Sequence, residues 1–212
     1  MLFSYPKHNN PSSFEKLPPH LGCILTPKGN VGFSENEYML DNIADIALWC
    51  VRFGIQKLTI YDRLGFFSSQ MAAVHTKVTN IFAEHQVDVP LDVSKPGSVG
   101  PESTFQITLL DSNNSREAMV NLTRELATAC HAGRLAPHEI TEDLIDRSLH
   151  VAAGNGTDLL FVCSQELTLC GYPPWQLSST EIFHINSKTG MQYTDFVRGL
   201  QAYSDAEMRG GR

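Results

Sequence analysis

The chain has 212 residues, of which 42% are hydrophobic and 18% are charged, an ordinary mixture for a folded globular domain. The formal net charge is -7, from 16 Lys and Arg against 23 Asp and Glu. Contacts to phosphates supply most of the affinity of a nucleic-acid-binding protein, so this acidic balance argues against nucleic acid as a partner.

The N-terminal residues 1–19 contain several prolines and little apolar periodicity, and we predict a flexible arm there, followed by one domain over residues 20–212. The stretch "MLFSYPKHNN" lacks the apolar core and cleavage site of a signal peptide. The longest nearly apolar run, "IADIALWCV", is far shorter than the roughly 20 residues that a membrane-spanning helix needs. We therefore expect a soluble chain whose membrane association, if any, comes through a partner or a segment outside it.

Strands and helices alternate in the first half of the domain. "HLGCIL" is predicted as a buried strand, and Ser34 and Glu37 form a capping box that opens a helix closed by Gly54. "QKLTIYD" is typical of a strand. A second helix then has apolar residues on one side, namely Met71, Val74, Val78, Ile81 and Phe82. The stretch "VPLDVSKPGSVGPES", with three prolines, predicts a loop.

The second half continues the alternation. "TFQITLLD" predicts a strand, and "SNNSREAMVNLTRELATACHAG" predicts a capped helix ending at Gly133. "EITEDLIDRSLHVA" is a helix with acids in its first turns, which suits the helix dipole. "DLLFVC" and "EIFHI" are short apolar strands, and "YTDFVRGLQAYSDAEM" is the last helix. This alternation predicts a single-domain α/β fold, with a mostly parallel sheet and helices on both faces.

Common catalytic patterns are missing from the sequence. We find no dinucleotide-binding G-x-G-x-x-G after the first strand, no phosphate-binding loop, no H-E-x-x-H and no G-x-S-x-G. The five cysteines are odd in number and widely spaced, which favours buried thiols over disulfides or a zinc site. Asp62 has no second carboxylate beside it in sequence, so we expect a structural hydrogen-bonding role for it. We interpret Trp49 as a core aromatic.

Three stretches together carry a resemblance to a known family: "PPHLGCILTPKGN", "LWCVRFGIQKLTIYDRLGFF" and "PPWQLSSTEIF…DFVRGLQAYSDAEMRGG". From about His20 to the end, the chain resembles the cis-prenyltransferase superfamily. It is most similar to the divergent subunit type, the Nogo-B receptor and its yeast and plant counterparts. The second stretch is the most diagnostic, because the subunit type carries a "YD" where active members carry an aromatic-Ala segment ending in "ENF".

The resemblance implies that the chain's own catalytic site is degenerate. Catalytic members add isopentenyl diphosphate to an allylic diphosphate, and an aspartate after their first strand helps to bind Mg²⁺. Thr26 stands at that position, and a hydroxyl is a poor substitute for a carboxylate as a ligand of a hard cation. Val162 and Thr168 stand where arginines would hold isopentenyl diphosphate, and Cys170 stands for a serine, while Glu166 is retained.

The C-terminal "RGGR" matches an Arg-x-Gly motif with which paired family members complete the partner's site for isopentenyl diphosphate. Arg209, Gly210 and Gly211 are the candidate substrate-binding residues, since a guanidinium pairs with phosphate oxygens and glycine lets backbone N–H groups approach an anion. A frayed terminus is the alternative interpretation. A dimer interface is expected around three further residues, Trp175, Glu181 and Ile182.

Three functions remain open at this point. The first is an activity-enabling subunit of a heteromeric cis-prenyltransferase for dolichol synthesis. Its partner would be a catalytic subunit with Mg²⁺ in the active site, acting on isopentenyl diphosphate and an allylic (farnesyl) diphosphate at the cytosolic face of the endoplasmic reticulum membrane. The second is a self-sufficient homodimeric enzyme, against which Thr26, Val162 and Thr168 argue. The third is a non-enzymatic scaffold or receptor, against which the Arg-x-Gly tail argues.

Overall fold

Six strands form one sheet in which every neighbouring pair is parallel. This computed structural model describes residues 11–26, 33–97, 101, 103–187 and 190–206. The strands are β1 (His20–Ile24), β2 (Lys57–Tyr61), β3 (Leu91–Ser94), β4 (Phe105–Leu110), β5 (Leu159–Ser164) and β6 (Glu181–Asn186). Their order across the sheet is β3-β4-β2-β1-β5-β6. The prediction of an α/β domain with a mostly parallel sheet is confirmed.

Within the described residues, six α-helices connect or follow the strands. They are α1 (Phe33–Arg52), α2 (Phe66–Ser69), α3 (Met71–Glu84), α4 (Arg116–His131), α5 (Glu142–Ala153) and α6 (Tyr193–Asp205). Helices α1, α3 and α6 pack with the first face of the sheet in the main hydrophobic core. Helix α5 lies on the second face, near His20 and Thr59. Leu169, Cys170 and Leu177, which follow β5, pack on a smaller apolar cluster of the same face.

Helix α1 ends just before a glycine, as the sequence predicts. Gly54 has φ +77°, a conformation that costs glycine little. The N–H of Gly54 donates to Val51 O at 3.0 Å, and the N–H of Ile55 donates to Cys50 O at 2.9 Å, which is the Schellman pattern. The predicted glycine stop is confirmed. The helix begins at Phe33, one residue before the predicted cap at Ser34.

One predicted loop contains a strand. The stretch "VPLDVSKPGSVGPES" was expected to be irregular throughout, but Leu91–Ser94 form the edge strand β3, paired with β4 alone. All four of its residues are half-buried, and Pro90 and Pro96 flank it. A short strand between prolines has the composition of a loop. It is a strand because its backbone pairs with β4, which its composition does not indicate.

Helix α6 lies very close to the sheet. A Cβ on Gly199 would lie 2.1 Å from Phe161 Cε1 in β5, so this position admits only a hydrogen as side chain. Phe196 stacks on Phe161 with ring centroids 5.9 Å apart and also contacts Trp49, which is 4% exposed. The interpretation of Trp49 as a core aromatic is confirmed.

Residues 11–19, which belong to the predicted arm, pack against the domain. Phe14 and Leu17 lie against the main core, and the ring of Phe14 meets that of Phe53 edge-on at 5.7 Å between centroids. Residues 1–10 lie outside the described residues, so the flexibility of that part stays a prediction.

Three of the five cysteines are buried as predicted. Cys23, Cys50 and Cys163 lie in the main core, whereas Cys130 and Cys170 are half-buried. In the part of the chain that the structure describes, we find no helix with the length and apolar character needed to cross a bilayer.

Candidate functional site

A cleft of about 660 Å³ opens at the carboxyl ends of β2, β4 and β5, the edge where parallel α/β sheets generally bind ligands. The segment after β2 contributes Arg63 to one wall of the cleft. The segment after β4 contributes five residues to the cleft, namely Ser112, Asn113, Ser115, Arg116 and Glu117. The loop after β5 forms the opposite wall. Its remaining lining residues include Tyr61, Leu169, Gly171, Tyr172, Pro174 and Leu177. Two predicted site residues, Thr168 and Cys170, lie in this wall.

An apolar cluster on the second face of the sheet contacts this cleft. It consists of Ile24, Tyr61, Leu110, Leu160, Val162 and Tyr172. Val162 is fully buried there, beside Ile24 of β1 and His184 of β6 in the sheet register. Val162, the position at which the family resemblance predicts an arginine in catalytic members, thus lies in an apolar part of the core. An isolated charge in such surroundings would lose its hydration without compensation.

The aromatic pair Tyr61 and Tyr172 joins the cluster to the loop after β5. Their rings meet edge-on at 5.4 Å between centroids, and the Tyr61 hydroxyl donates to Cys170 O at 2.9 Å. Burial raises the pKa of Tyr61 to about 12, so the hydroxyl keeps its proton and remains a donor at neutral pH. Cys170 has φ +50°, an uncommon backbone conformation for a residue other than glycine. The tyrosine hydrogen bond fixes this turn, with Thr168 exposed beside it.

Asp62 has a structural role, as predicted. Its carboxylate is buried and accepts from the backbone N–H groups of Phe66 and Phe67, each at 3.0 Å, at the start of α2. Burial raises the pKa of Asp62, and these backbone hydrogen bonds oppose the rise. The carboxylate therefore holds the turn after β2, and it is not among the residues that line the cleft.

The charged residues at the cleft were not among those predicted from the sequence. Arg63 and Arg116 are exposed at its rim together with Glu117. They stand 53 positions apart in the sequence and line the same cleft because β2 and β4 are neighbours in the sheet. No short motif contains both residues, and only the predicted parallel sheet could have suggested that loops after adjacent strands meet.

The described residues do not form a metal site. Among them we find no group of three or more His, Cys, Asp or Glu side chains that could hold a metal ion. Thr26 is exposed just beyond β1 and is not among the residues that line the cleft. The donor set present here therefore does not fit Mg²⁺, which prefers carboxylate oxygens and water.

Comparison with known proteins places the chain in a family. It is 30% identical over 204 residues to the dehydrodolichyl diphosphate synthase complex subunit nus1 of Schizosaccharomyces pombe, covering 93% of this chain and 78% of the relative. It is 28% identical to the NUS1 subunit of Saccharomyces cerevisiae over 93% of this chain and 60% of the relative's length. The chain belongs to the NUS1 subunit family. No family profile matches the chain.

The fold agrees with that membership. Lavandulyl diphosphate synthase from Lavandula x intermedia, solved in complex with dimethylallyl diphosphate, superposes with a TM-score of 0.66 at 18% identity. The match covers 92% of this chain and 99% of the synthase. The resemblance to the cis-prenyltransferase superfamily, and within it to the NUS1 subunit type, is confirmed.

In this NUS1-family chain two of the three interface candidates lie in the edge strand β6, and the third lies beside helix α5. Trp175 is half-buried, and its Nε1–H donates to Asp146 of α5 at 3.0 Å. Glu181 and Ile182 begin β6, which pairs with β5 alone among the described strands. The Ile182 side chain is 43% exposed on the second face. These positions are compatible with a partner surface, and the interface stays a prediction.

The tail residues Arg209, Gly210 and Gly211 lie outside the described residues. The structure does describe where α6 ends. The backbone N–H of Glu15, just before β1, donates to Ser204 Oγ at 2.9 Å. Burial raises the pKa of Tyr203, as do the carboxylates of Asp158 and Glu181, which stand at the starts of β5 and β6. Helix α6 therefore ends at the amino edge of the sheet, opposite the cleft.

Proposed function

We propose that this chain is the activity-enabling, non-catalytic subunit of a heteromeric cis-prenyltransferase, the dehydrodolichyl diphosphate synthase complex. The complex adds isopentenyl diphosphate to an allylic diphosphate in dolichol synthesis. The observation that carries the proposal is the match of nearly the whole chain to subunits named for that complex.

The second face of the sheet supports a silent site in the isolated chain. Val162 is buried among apolar side chains, Thr168 is an exposed loop residue, and Thr26 offers a hydroxyl in place of a carboxylate. In this proposal, Val162 and Thr168 stand in place of two guanidinium groups and cannot form ion pairs with a diphosphate. Thr26 stands in place of a carboxylate and is a poor ligand for Mg²⁺. In this proposal Mg²⁺ and both diphosphates bind to the catalytic partner.

The position of α6 supports a tail that acts on the partner. Arg209 is three residues beyond Ala206, so its backbone lies at most about 10 Å from that point. The five residues of β1 alone span about 17 Å. To reach its own cleft, the tail would have to run the length of the sheet and cross to its other face. A substrate in a neighbouring subunit is the better target for Arg209 and Gly211.

The proposal includes action at the cytosolic face of the endoplasmic reticulum membrane, where dolichol-forming relatives are expected. Contact with the membrane would come through the catalytic partner or a segment outside this chain. Fractionation of cells expressing the tagged complex tests this part. Recovery of all activity in the soluble fraction would contradict it.

Co-expression tests the central claim. This chain and a catalytic cis-prenyltransferase are purified alone and together, and incorporation of radiolabelled isopentenyl diphosphate is measured with farnesyl diphosphate as primer. We expect no turnover by this chain alone and a large increase when both are present. Turnover by this chain alone would favour a homodimeric enzyme, and a complex no more active than the partner alone would favour a scaffold.

A further inference from the structure

The segment before β1 holds the last turn of α6 through several kinds of contact. We define residues 11–19 as the N-terminal strap. The backbone N–H of Glu15 donates to Ser204 Oγ at 2.9 Å, and Lys16 Nζ donates to the carbonyl oxygen of Ala206. The Lys16 ammonium also lies 5.2 Å from the centroid of the Tyr203 ring. Two consecutive strap residues, Glu15 and Lys16, thereby contact Tyr203, Ser204 and Ala206 at the end of α6.

These contacts connect segments at opposite ends of the chain. The Glu15 to Ser204 bond joins residues 189 positions apart, and the Lys16 to Ala206 bond joins residues 190 positions apart. The strap is itself anchored, because Phe14 and Leu17 pack on the main core. The end of α6 is therefore held against a fixed surface and is not free to fray, as helix ends otherwise do.

Lys16 occupies a place where a cation is favourable. The last carbonyl groups of a helix have no partner within the helix and carry the negative end of its dipole. Lys16 satisfies the carbonyl of Ala206, immediately after the last helical residue, Asp205. The ring of Tyr203 supplies a second attraction through its electron-rich face.

We propose that Lys16 and Ser204 are positioning residues for the reaction of the complex, because they fix the point from which the C-terminal Arg-x-Gly segment leaves the domain. This inference rests on the proposed function. Arg209 lies only three residues beyond Ala206, so a fixed exit point limits the volume that its guanidinium can sample. A smaller volume raises its effective concentration at the isopentenyl diphosphate site of the partner.

The test uses the full heteromeric complex and steady-state kinetics with each substrate varied. The variants are Lys16→Met, which keeps the length of the side chain but not its charge, and Ser204→Ala. We expect the KM for isopentenyl diphosphate to rise at least about threefold in each, with the KM for the allylic diphosphate unchanged. Lys16→Arg keeps a cationic donor, so its KM for isopentenyl diphosphate should stay near the wild-type value. A merely structural role would lower the active fraction and leave both KM values as they were.

Two controls separate this inference from the proposed function. Lys77→Met removes another lysine charge, one that pairs with Asp41 and Glu37 between α1 and α3, and should leave both KM values unchanged. Arg209→Ala tests the tail itself. If Arg209→Ala raises the KM for isopentenyl diphosphate but Lys16→Met and Ser204→Ala do not, the positioning role is wrong. If Arg209→Ala has no effect, the proposed contribution of the tail fails instead.

Hydrogen exchange gives a readout without catalysis. The N–H of Ala206 donates to Tyr203 O at 3.3 Å in the last turn of α6. We expect this amide to exchange faster in Lys16→Met than in the wild-type chain or in Lys77→Met. Equal exchange in all three would show that the strap does not hold the end of the helix.

Discussion

His20 is a buried titratable residue at the start of β1. Its Nδ1 lies 2.9 Å from Gly156 O and its Nε2 lies 2.8 Å from Thr59 Oγ1. A carbonyl oxygen only accepts, so Nδ1 carries the proton and Nε2 accepts from the threonine hydroxyl. Burial lowers the pKa of His20 to about 4, and the charge of Lys57 contributes in the same direction.

The free energy of unfolding should therefore depend on pH through His20. Because its folded pKa lies below the ordinary value of 6.5, the unfolded chain binds more protons between pH 6.5 and 4. The contribution of His20 to the free energy of unfolding is fully present above pH 6.5. It is lost as the pH is lowered towards 4, which decreases the free energy of unfolding by at most about 3 kcal/mol. Denaturant unfolding across this range measures the slope. His20→Gln should have a shallower slope, and equal slopes would contradict the assignment.

The two positions that lack arginine should respond very differently when arginine is introduced. Val162→Arg would bury an unpaired charge in the apolar cluster, and we expect a loss of about 3–5 kcal/mol in the free energy of unfolding. Thr168→Arg is the matched control on the exposed loop and should stay within about 0.5 kcal/mol of the wild type. Thermal and denaturant unfolding of both variants measures the change in the free energy of unfolding. Similar stabilities would mean that the cluster tolerates a charge.

The tail should contribute to substrate binding in the complex. Arg209→Ala removes a charge-assisted contact to a phosphate, worth roughly 1.5–3 kcal/mol, or about 10- to 150-fold in binding or rate. Gly211→Val should do similar harm by holding a backbone N–H away from the diphosphate. Arg212→Ala, outside the triplet, is the control. Kinetics with varied isopentenyl diphosphate provide the measurement, and unchanged values for Arg209→Ala and Gly211→Val would leave the tail as a frayed end.

At the scale of elements, β6 is the exposed border of the sheet on the side of the predicted interface. Ile182 faces solvent on the second face, whereas Phe183 turns to the first face and packs on Phe161. An exposed apolar residue on an edge strand is a favourable centre for a dimer contact, since interface cores are apolar and edge strands readily gain partners.

Ile182→Asp should weaken the heterodimer without unfolding the chain. We expect the Kd to rise at least about tenfold, because a charge would be buried at the centre of the contact. Tyr38→Asp is a suitable control, since Tyr38 is 50% exposed on α1, a helix of the first face. Sedimentation of mixtures at several concentrations measures the Kd. An unchanged Kd for Ile182→Asp would place the partner elsewhere.

At the scale of the whole molecule, the chain should form a stable complex with a catalytic homologue. Stable interfaces bury roughly 800 Å² per partner, and the second face near β6 offers an incompletely covered surface for one. We expect the mixed proteins to elute together at micromolar concentration, and with a larger mass than either protein alone. Separate elution at that concentration would count against a heteromeric enzyme.

The order of strands and helices was largely determined by the sequence. Apolar runs such as "DLLFVC" and the glycine stop at Gly54 act over a few residues, so their signals are local and can be recognised in a single chain. Thr26 and the Arg-x-Gly triplet can likewise be identified in the sequence, but the roles predicted for them depend on the family resemblance. Strand β3 was missed because its pairing, and not its composition, makes it a strand.

The site itself was decided by tertiary structure. Whether Val162 faces a cleft or the core depends on the register of β5 against β1, which is set by packing across the whole sheet. Arg63 and Arg116 line the same cleft because β2 pairs with β4. The contacts of the strap with α6 join residues about 190 positions apart. Such contacts depend on long-range packing of the folded chain, which leaves no periodic trace in the sequence. The sequence therefore determined the order of the elements, while the tertiary structure determined the surroundings of Val162, the lining of the cleft and the contacts of the strap.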